Sequence, residues 1–186
     1  MLADELKEQT RLVHADLEKK LLTHIQGVKD TGRYTRLLVL MYGYYAALEQ
    51  QLDRFRQDLP DYNIRRKSQA ILDDLDVLAY PTKQIPVCLD VPSIHSLPSA
   101  LGAMYVLEGS TLGGKIISKM LLKQVPTLEG STRFFQGYKE ESMTMWQKFK
   151  EHLHSTVDES QQHETHFAAK ETFVKFKKWL EYHDAN

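Results

Sequence analysis

An apolar segment between Leu101 and Leu122 carries three glycines in its central part, Gly109, Gly113 and Gly114. Its apolar side chains recur at the three- and four-residue intervals of an α-helix, at Leu101, Met104, Tyr105, Leu112, Ile116, Ile117 and Met120. Each glycine inside a helix costs about 1 kcal/mol relative to alanine, so three of them need a physical reason. Because Gly109 and Gly113 lie four residues apart, they share one helix face and leave bare backbone there. A flat or bulky group can therefore lie directly on that face.

The composition restricts the class of protein. The chain has 186 residues and a formal net charge of -1, which predicts one domain over residues 1–186 and gives no support for binding to nucleic acid or to a membrane surface. Cys88 is the only cysteine, which excludes an internal disulfide and fits a reducing compartment. No apolar run approaches the roughly 20 residues of a membrane span, and the charged amino terminus lacks the core of a signal peptide. We therefore expect a cytoplasmic protein without a membrane span.

Helical periodicity recurs along most of the chain. Besides the glycine segment, it predicts helices over residues 2–25, 33–55, 65–78, 138–157 and 159–182. On the first helix the predicted apolar stripe comprises Leu6, Leu12, Val13, Leu17, Leu21 and Leu22. Four prolines between residues 81 and 98 predict an extended connection, and Ser96 is placed to cap the helix that follows. The basic run 65–67 has the pattern of a solvated face. Since strand alternation is absent, we predict an all-α fold.

The pattern alone leaves three interpretations of the glycine segment. Gly109 to Lys115 matches the phosphate-loop pattern G-x-x-x-x-G-K, but Ile116 replaces the Ser or Thr that holds magnesium, and the preceding residues fit a helix rather than the required strand. In the second interpretation, the glycines allow two helices to pack closely. In the third, a flat cofactor lies on the bare face, and this requires a ligand from elsewhere in the chain.

His14, on the first predicted helix, is the candidate for that ligand. Neutral imidazole is a good iron ligand, and its second nitrogen usually donates to a carboxylate or a carbonyl. Glu18 lies four residues further on, within reach on the same helix face, and Lys7 and Arg11 place cations on roughly that side. A lone helical histidine is more often an ordinary surface or core residue, so this helix does not decide the question by itself.

Two segments carry a family resemblance, Leu6-Lys-Glu-Gln-Thr-Arg-Leu-Val-His14-Ala-Asp-Leu-Glu18 and Tyr105-Val-Leu-Glu-Gly-Ser-Thr-Leu-Gly-Gly114. Together, in this order and in a chain of this size, they resemble the haem oxygenase family, in particular its bacterial biliverdin-producing branch. The resemblance implies a single-domain helical bundle of the haem oxygenase type. In that fold, haem is clamped between a proximal helix and a kinked distal helix.

By position, the resemblance assigns the proximal side of the haem site. It makes His14 the iron ligand and Glu18 the hydrogen-bond partner of His14. Lys7 and Arg11 match cations that meet the haem propionates. Phe173, on the last helix, falls roughly where the family packs an aromatic side chain against the pocket.

The same resemblance assigns the distal side. Gly109 and Gly113 match glycines that lie over the haem face, and with Ser110 they are the expected catalytic positions. Animal members carry an aspartate after the first distal glycine, where it holds a water network, and Ser110 occupies that position here. Bacterial relatives also lack the aspartate, so activity is compatible with this departure. Ser110 and Thr111 are candidates to hold water.

The reaction that the resemblance implies is the oxidative opening of haem to biliverdin, carbon monoxide and ferrous iron. Haem is then both substrate and cofactor, and O2 and electrons are consumed. We expect the electrons to come from a separate protein, a ferredoxin or a flavin reductase. One alternative is a non-catalytic haem-binding protein for storage, delivery or sensing. Another is a related helical bundle without a haem role, such as one of thiamine salvage.

Overall fold

The structure is a computed structural model that describes residues 1–65 and 67–184. Within these residues the chain forms α-helices and short 3-10 turns, and no strand. The helices are α1 (Leu2–Gln26), α2 (Thr31–Leu52), α3 (Gln69–Val77), α4 (Leu97–Gly109), α5 (Thr111–Gln124), α6 (Arg133–Gln136), α7 (Ser142–Thr156) and α8 (Gln162–Asp184). The predicted all-α class is confirmed. The predicted domain limits, 1–186, stay a prediction, and their last two residues lie outside the described part of the chain.

Helix α8 packs against α1, and the two run in the same direction. Lys177 on α8 lies 3.5 Å from the Asp16 carboxylate on α1. Lys20, one turn further along α1, forms an ion pair with Asp184, about two turns further along α8. Contacts that advance together along both helices require parallel axes. The amino-terminal helix is thereby held against the last helix over most of its length.

Helix α4 also runs parallel to α8, on another side of it. Near its start, the Ser96 hydroxyl donates to the Glu164 carboxylate at 2.5 Å. Further along, the backbone of Gly102 lies directly against the Thr165 carbonyl and the Ala168 side chain. Helices α1 and α4 therefore run in the same direction, and each packs against α8.

Helix α2 closes the bundle in the opposite direction. Arg36 donates to the His183 carbonyl at 3.1 Å near the end of α8, whereas Tyr44 donates to the Thr172 carbonyl at 2.7 Å nearer its middle. The Tyr44 ring stacks on Phe176 with centroids 4.4 Å apart. Among the described helices, none combines the length and the apolar content needed to cross a membrane.

The predicted signals at helix ends are confirmed at two positions. The Ser96 side chain accepts from the Ser99 backbone amide at 3.2 Å and forms a capping box with Ser99, with Pro98 in the first turn. Gly27 follows the last residue of α1, as predicted for a helix stop. The chain between α3 and α4 is extended and non-helical, as its prolines predict.

The structure differs from the prediction in several details. Helix α3 begins at residue 69 rather than 65, and α7 begins at residue 142 rather than 138. The glycine segment forms two helices that break at Ser110, which agrees with the kinked distal helix that the resemblance implies. The short helix α6 was not predicted. On α1, Leu12 and Leu22 are 72% and 41% exposed rather than part of the buried stripe. Thr10 takes a buried position instead, because its hydroxyl donates to the Leu6 carbonyl at 2.7 Å and is satisfied inside the helix.

Helix α6 depends on a carboxylate from α3. The two Asp74 oxygens accept the backbone amides of Arg133 and Phe134, each at 2.9 Å. Burial raises the pKa of Asp74 to about 6, while the two amide donors act in the opposite direction, so the carboxylate is ionised at pH 7.5. No local pattern around residue 133 reveals this cap, since its acceptor lies 59 residues away in sequence.

Replacing Asp74 with asparagine is expected to destabilise the fold by about 1–3 kcal/mol, because an amide accepts only one of the two backbone N–H groups and leaves the other buried and unpaired. Urea unfolding followed by circular dichroism at pH 7.5 measures this loss. Asp76→Asn, at an exposed position on the same helix, is the matched control. Equal midpoints for the two variants would show that the cap contributes nothing.

Candidate functional site

The imidazole of His14 lies on the exposed face of α1 beside a carboxylate. Its Nε2 atom is 3.3 Å from Oε1 of Glu18, and the two side chains are 49% and 62% exposed. The His14 ring packs against the buried ring of Phe173 on α8, with centroids 5.0 Å apart. With Glu18 as partner of one ring nitrogen, the other nitrogen keeps the lone pair that a metal ligand needs. The structure therefore brings these three predicted residues together.

The predicted cations extend the same face of α1. Lys7, Arg11, His14 and Glu18 are all exposed, and they lie on one unbroken helix at intervals of four, three and four residues. Side chains with this spacing share one side of a helix. The face thus presents two cations, an imidazole and a carboxylate in a line.

The glycine segment presents a second, very different surface. A Cβ atom built on Gly113 meets nothing within 4 Å, and one built on Gly109 meets only the edge of Trp146, at 3.8 Å. A Cβ atom on Gly114, in contrast, would overlap the carbonyl oxygen of Phe135 on α6. Close packing therefore explains Gly114, whereas Gly109 and Gly113 form an open, side-chain-free face. The phosphate-loop interpretation is wrong, because helix α4 and not a strand leads into the segment.

Ser110, at the break between α4 and α5, is exposed on this surface, and its hydroxyl forms hydrogen bonds with two residues of the protein interior. Its hydroxyl donates to the Leu107 carbonyl at 2.7 Å, so the Tyr45 hydroxyl, 3.0 Å away, is the donor to Ser110 Oγ. Thr111 does not share this position, because its side chain is buried and donates to the Glu108 carbonyl at 2.7 Å. Of the two predicted water-holding hydroxyls, only that of Ser110 is exposed.

Tyr45 is a site residue that sequence reasoning did not single out. It lies in a tyrosine-rich stretch of α2 in which every tyrosine suits core packing. Its ring is buried between Phe134, at a centroid distance of 5.0 Å, and Phe176, at 5.9 Å. Phe176 lies one turn beyond Phe173 on α8, so the packing that supports His14 continues to Ser110.

Tyr105 on α4 and Thr10 on α1 lie near one another and relate the two surfaces along the bundle. Burial raises the pKa of Tyr105 to about 12, so the phenol stays protonated. His14 and Gly109 each lie four residues beyond this pair. Because α1 and α4 run in the same direction, His14 and Gly109 both lie about one turn further along the bundle than Thr10 and Tyr105.

A buried charged cluster lies directly behind the glycine face. Arg65 Nη1 is 2.5 Å from Glu108 Oε2, and the two side chains are only 2% and 4% exposed. The Tyr138 hydroxyl donates to the Glu108 carboxylate at 3.0 Å, and Arg65 Nε donates to the Pro60 carbonyl at 2.7 Å. The expectation of a solvated basic face is therefore wrong for Arg65. Arg66 lies outside the described residues, and Lys67 is partly buried.

These residues fit haem. A planar macrocycle with an iron centre and two propionates needs an axial nitrogen ligand, cations at its edge and an unobstructed opposite face. The exposed face of α1 offers the first two, and the open face at Gly109 and Gly113 offers the third. Within residues 1–65 and 67–184, no group of three or more His, Cys, Asp or Glu side chains is arranged to hold a metal ion.

Comparison with known proteins supports the same family. The sequence model of the family described as "Heme oxygenase" matches residues 1–182. A haem oxygenase of Xanthomonas campestris pv. campestris (strain 8004) is 32% identical over 127 residues, which are 67% of this chain and 73% of that protein. Both the match over nearly the whole chain and this level of identity are sufficient to show the family.

Solved structures show the same fold. The haem oxygenase of Neisseria meningitidis, crystallised with NO and CO, has a TM-score of 0.77 at 22% identity, and the match covers 98% of this chain and 91% of that one. The haem oxygenase of Leptospira interrogans has a TM-score of 0.75 at 21% identity, covering 97% and 98%. Haem oxygenase-1 of Synechocystis sp. PCC6803, solved with haem, has a TM-score of 0.76 at 16% identity, covering 100% and 93%. The chain therefore belongs to the haem oxygenase family.

Proposed function

We propose that this haem oxygenase binds haem between the exposed face of α1 and the open glycine face of α4 and α5. His14 is the proximal iron ligand, and Gly109, Ser110 and Gly113 lie over the opposite face of the macrocycle. The single observation that carries the proposal is the side-chain-free backbone at Gly109 and Gly113, which is open at Gly113 and bordered by the edge of Trp146 at Gly109.

The reaction is the oxidative opening of haem to biliverdin, carbon monoxide and ferrous iron, with O2 as oxidant and electrons from a separate ferredoxin or flavin reductase. Haem supplies the oxidative chemistry when it is bound, and the protein supplies ligation, orientation and electrostatics. The lone buried Cys88 supports a reducing, cytoplasmic setting for this activity.

The proximal residues hold and orient the substrate. Glu18 accepts from one nitrogen of His14 and selects the tautomer whose other nitrogen binds iron. Phe173 packs against the imidazole and limits its rotation. Lys7 and Arg11 would hold the propionates through charge-assisted contacts. A neutral imidazole would push less electron density towards iron than a thiolate ligand would.

The distal residues control approach and proton supply. Gly109 and Gly113 let the macrocycle lie close to the backbone, where a larger side chain would collide with it. Ser110 holds water at the haem face, and Tyr45 fixes the Ser110 hydroxyl by donating to it. Glu108, the carboxylate nearest in sequence to this face, points inward to Arg65 and does not deliver a proton there.

The test is a hemin titration of the purified protein, followed by ascorbate in air. We expect a sharp Soret band that saturates at one haem per chain, and then loss of that band with a red-absorbing product and release of carbon monoxide. A Soret band that survives the reductant would identify a storage, delivery or sensing protein instead. A titration without a sharp Soret band would rule out a haem role and favour the thiamine-salvage type of bundle.

A further inference from the structure

Trp146, on α7, stands at one end of the open glycine face. Its indole atoms Cη2 and Cζ3 lie 3.8 and 3.9 Å from the position of a Cβ atom on Gly109. One turn further along, nothing lies within 4 Å of the equivalent position on Gly113. The face is therefore closed by an aromatic edge at Gly109 and free at Gly113. The indole is only partly buried.

The indole packs against two aromatic rings. The Tyr105 ring lies 5.5 Å away by centroids and is tilted by 52°, and the fully buried Phe149 ring is stacked at 5.7 Å. An aromatic ring packed in this way has little rotational freedom and acts as a rigid wall.

Arg65 contacts residues next to both the indole of Trp146 and the glycine face. The guanidinium carbon of Arg65 lies 5.5 Å from the centroid of the Phe149 ring, on which the indole stacks. The same guanidinium bonds the Glu108 carboxylate, and Glu108 immediately precedes Gly109. This buried ion pair therefore links the residue before Gly109 to the ring on which the indole stacks.

We propose that Trp146 is a specificity-determining residue that sets the in-plane rotation of haem, and with it the meso carbon that is cleaved. This inference rests on the proposed function. Haem has nearly fourfold symmetry in its ring plane, so a flat glycine face cannot distinguish rotations of the macrocycle. The exposed cations Lys7 and Arg11 follow the propionates on flexible side chains. A fixed indole edge, in contrast, admits only those rotations in which no peripheral substituent collides with it.

The experiment compares the wild-type protein with Trp146→Ala, Trp146→Phe and a control, Met143→Ala, at an exposed position one turn earlier on α7. Each is loaded with hemin and turned over with ascorbate, and the biliverdin isomers are separated by chromatography. Proton spectra of the haem methyl groups in the ferric cyanide complexes report the in-plane orientation without turnover. The phenylalanine variant keeps an aromatic ring at this position. It therefore remains informative if the alanine variant fails to fold.

We expect one predominant isomer from the wild-type and Met143→Ala proteins. Trp146→Ala should raise the minor isomers at least fivefold, Trp146→Phe should be intermediate, and the methyl spectra should show the same order. An unchanged isomer ratio together with an unchanged methyl pattern in Trp146→Ala would overturn the inference. If the wild-type protein binds hemin but forms no biliverdin, the proposed activity fails, while the methyl spectra still decide the role of Trp146 in orientation.

Discussion

Replacing His14 with alanine is expected to abolish the ordered iron coordination of bound haem and to lower biliverdin formation more than roughly 100-fold. Loss of an outer-shell partner of a metal ligand typically costs 10–100-fold, and loss of the ligand itself costs more. The fold should be retained, because the side chain is half exposed and its main packing partner, Phe173, remains supported by α8. Hemin titration, the electron paramagnetic resonance of the ferric complex and the rate of ring opening measure the effect.

Two controls separate ligation from a general effect of the substitution. His154→Ala removes an exposed histidine from α7 and should leave the spectrum and the rate unchanged. Added imidazole should restore part of the coordination, and of the rate, in His14→Ala, because it can occupy the space left below the iron. Biliverdin formation at the parental rate in His14→Ala would show that this residue is not the ligand.

The adjacent glycines Gly113 and Gly114 are expected to respond in opposite ways to alanine. In Gly114→Ala the new methyl group would overlap the Phe135 carbonyl, so α5 and α6 must move apart. We expect a loss of about 3 kcal/mol or more in the free energy of unfolding, at the upper end of overpacking effects. Gly113→Ala meets no neighbour and should gain up to about 1 kcal/mol from helix propensity. Urea unfolding followed by circular dichroism compares them directly.

A larger side chain at Gly113 tests the function of the same face. Gly113→Leu should fold normally and yet take up haem poorly or open it slowly, because the side chain fills the space over the macrocycle. Gly113→Ala is its matched control for stability. An unchanged hemin titration and unchanged activity in Gly113→Leu would contradict the placement of haem on this face.

Much of the fold follows from local pattern. Apolar residues at helical spacing locate the long helices, and Gly27, the capping Ser96 and the proline-rich connection mark where helices stop and start, because these signals act within a few residues. The proposed proximal face of α1 is equally local, since Lys7, Arg11, His14 and Glu18 align on any continuous helix. For this reason the sequence alone predicted the all-α class and one half of the proposed site.

The other half of the proposed site, the glycine face, depended on the tertiary contacts of each residue. Gly113 and Gly114 look alike in sequence, and only the Phe135 carbonyl, about 20 residues away, makes one of them a packing glycine and leaves the other open. Arg65 belongs to a basic run, but a carboxylate 43 residues further on draws it into the core. Local periodicity therefore determined which segments are helical, whereas contacts between distant segments decided which faces are buried, charged or bare, because burial depends on the neighbours that folding brings together.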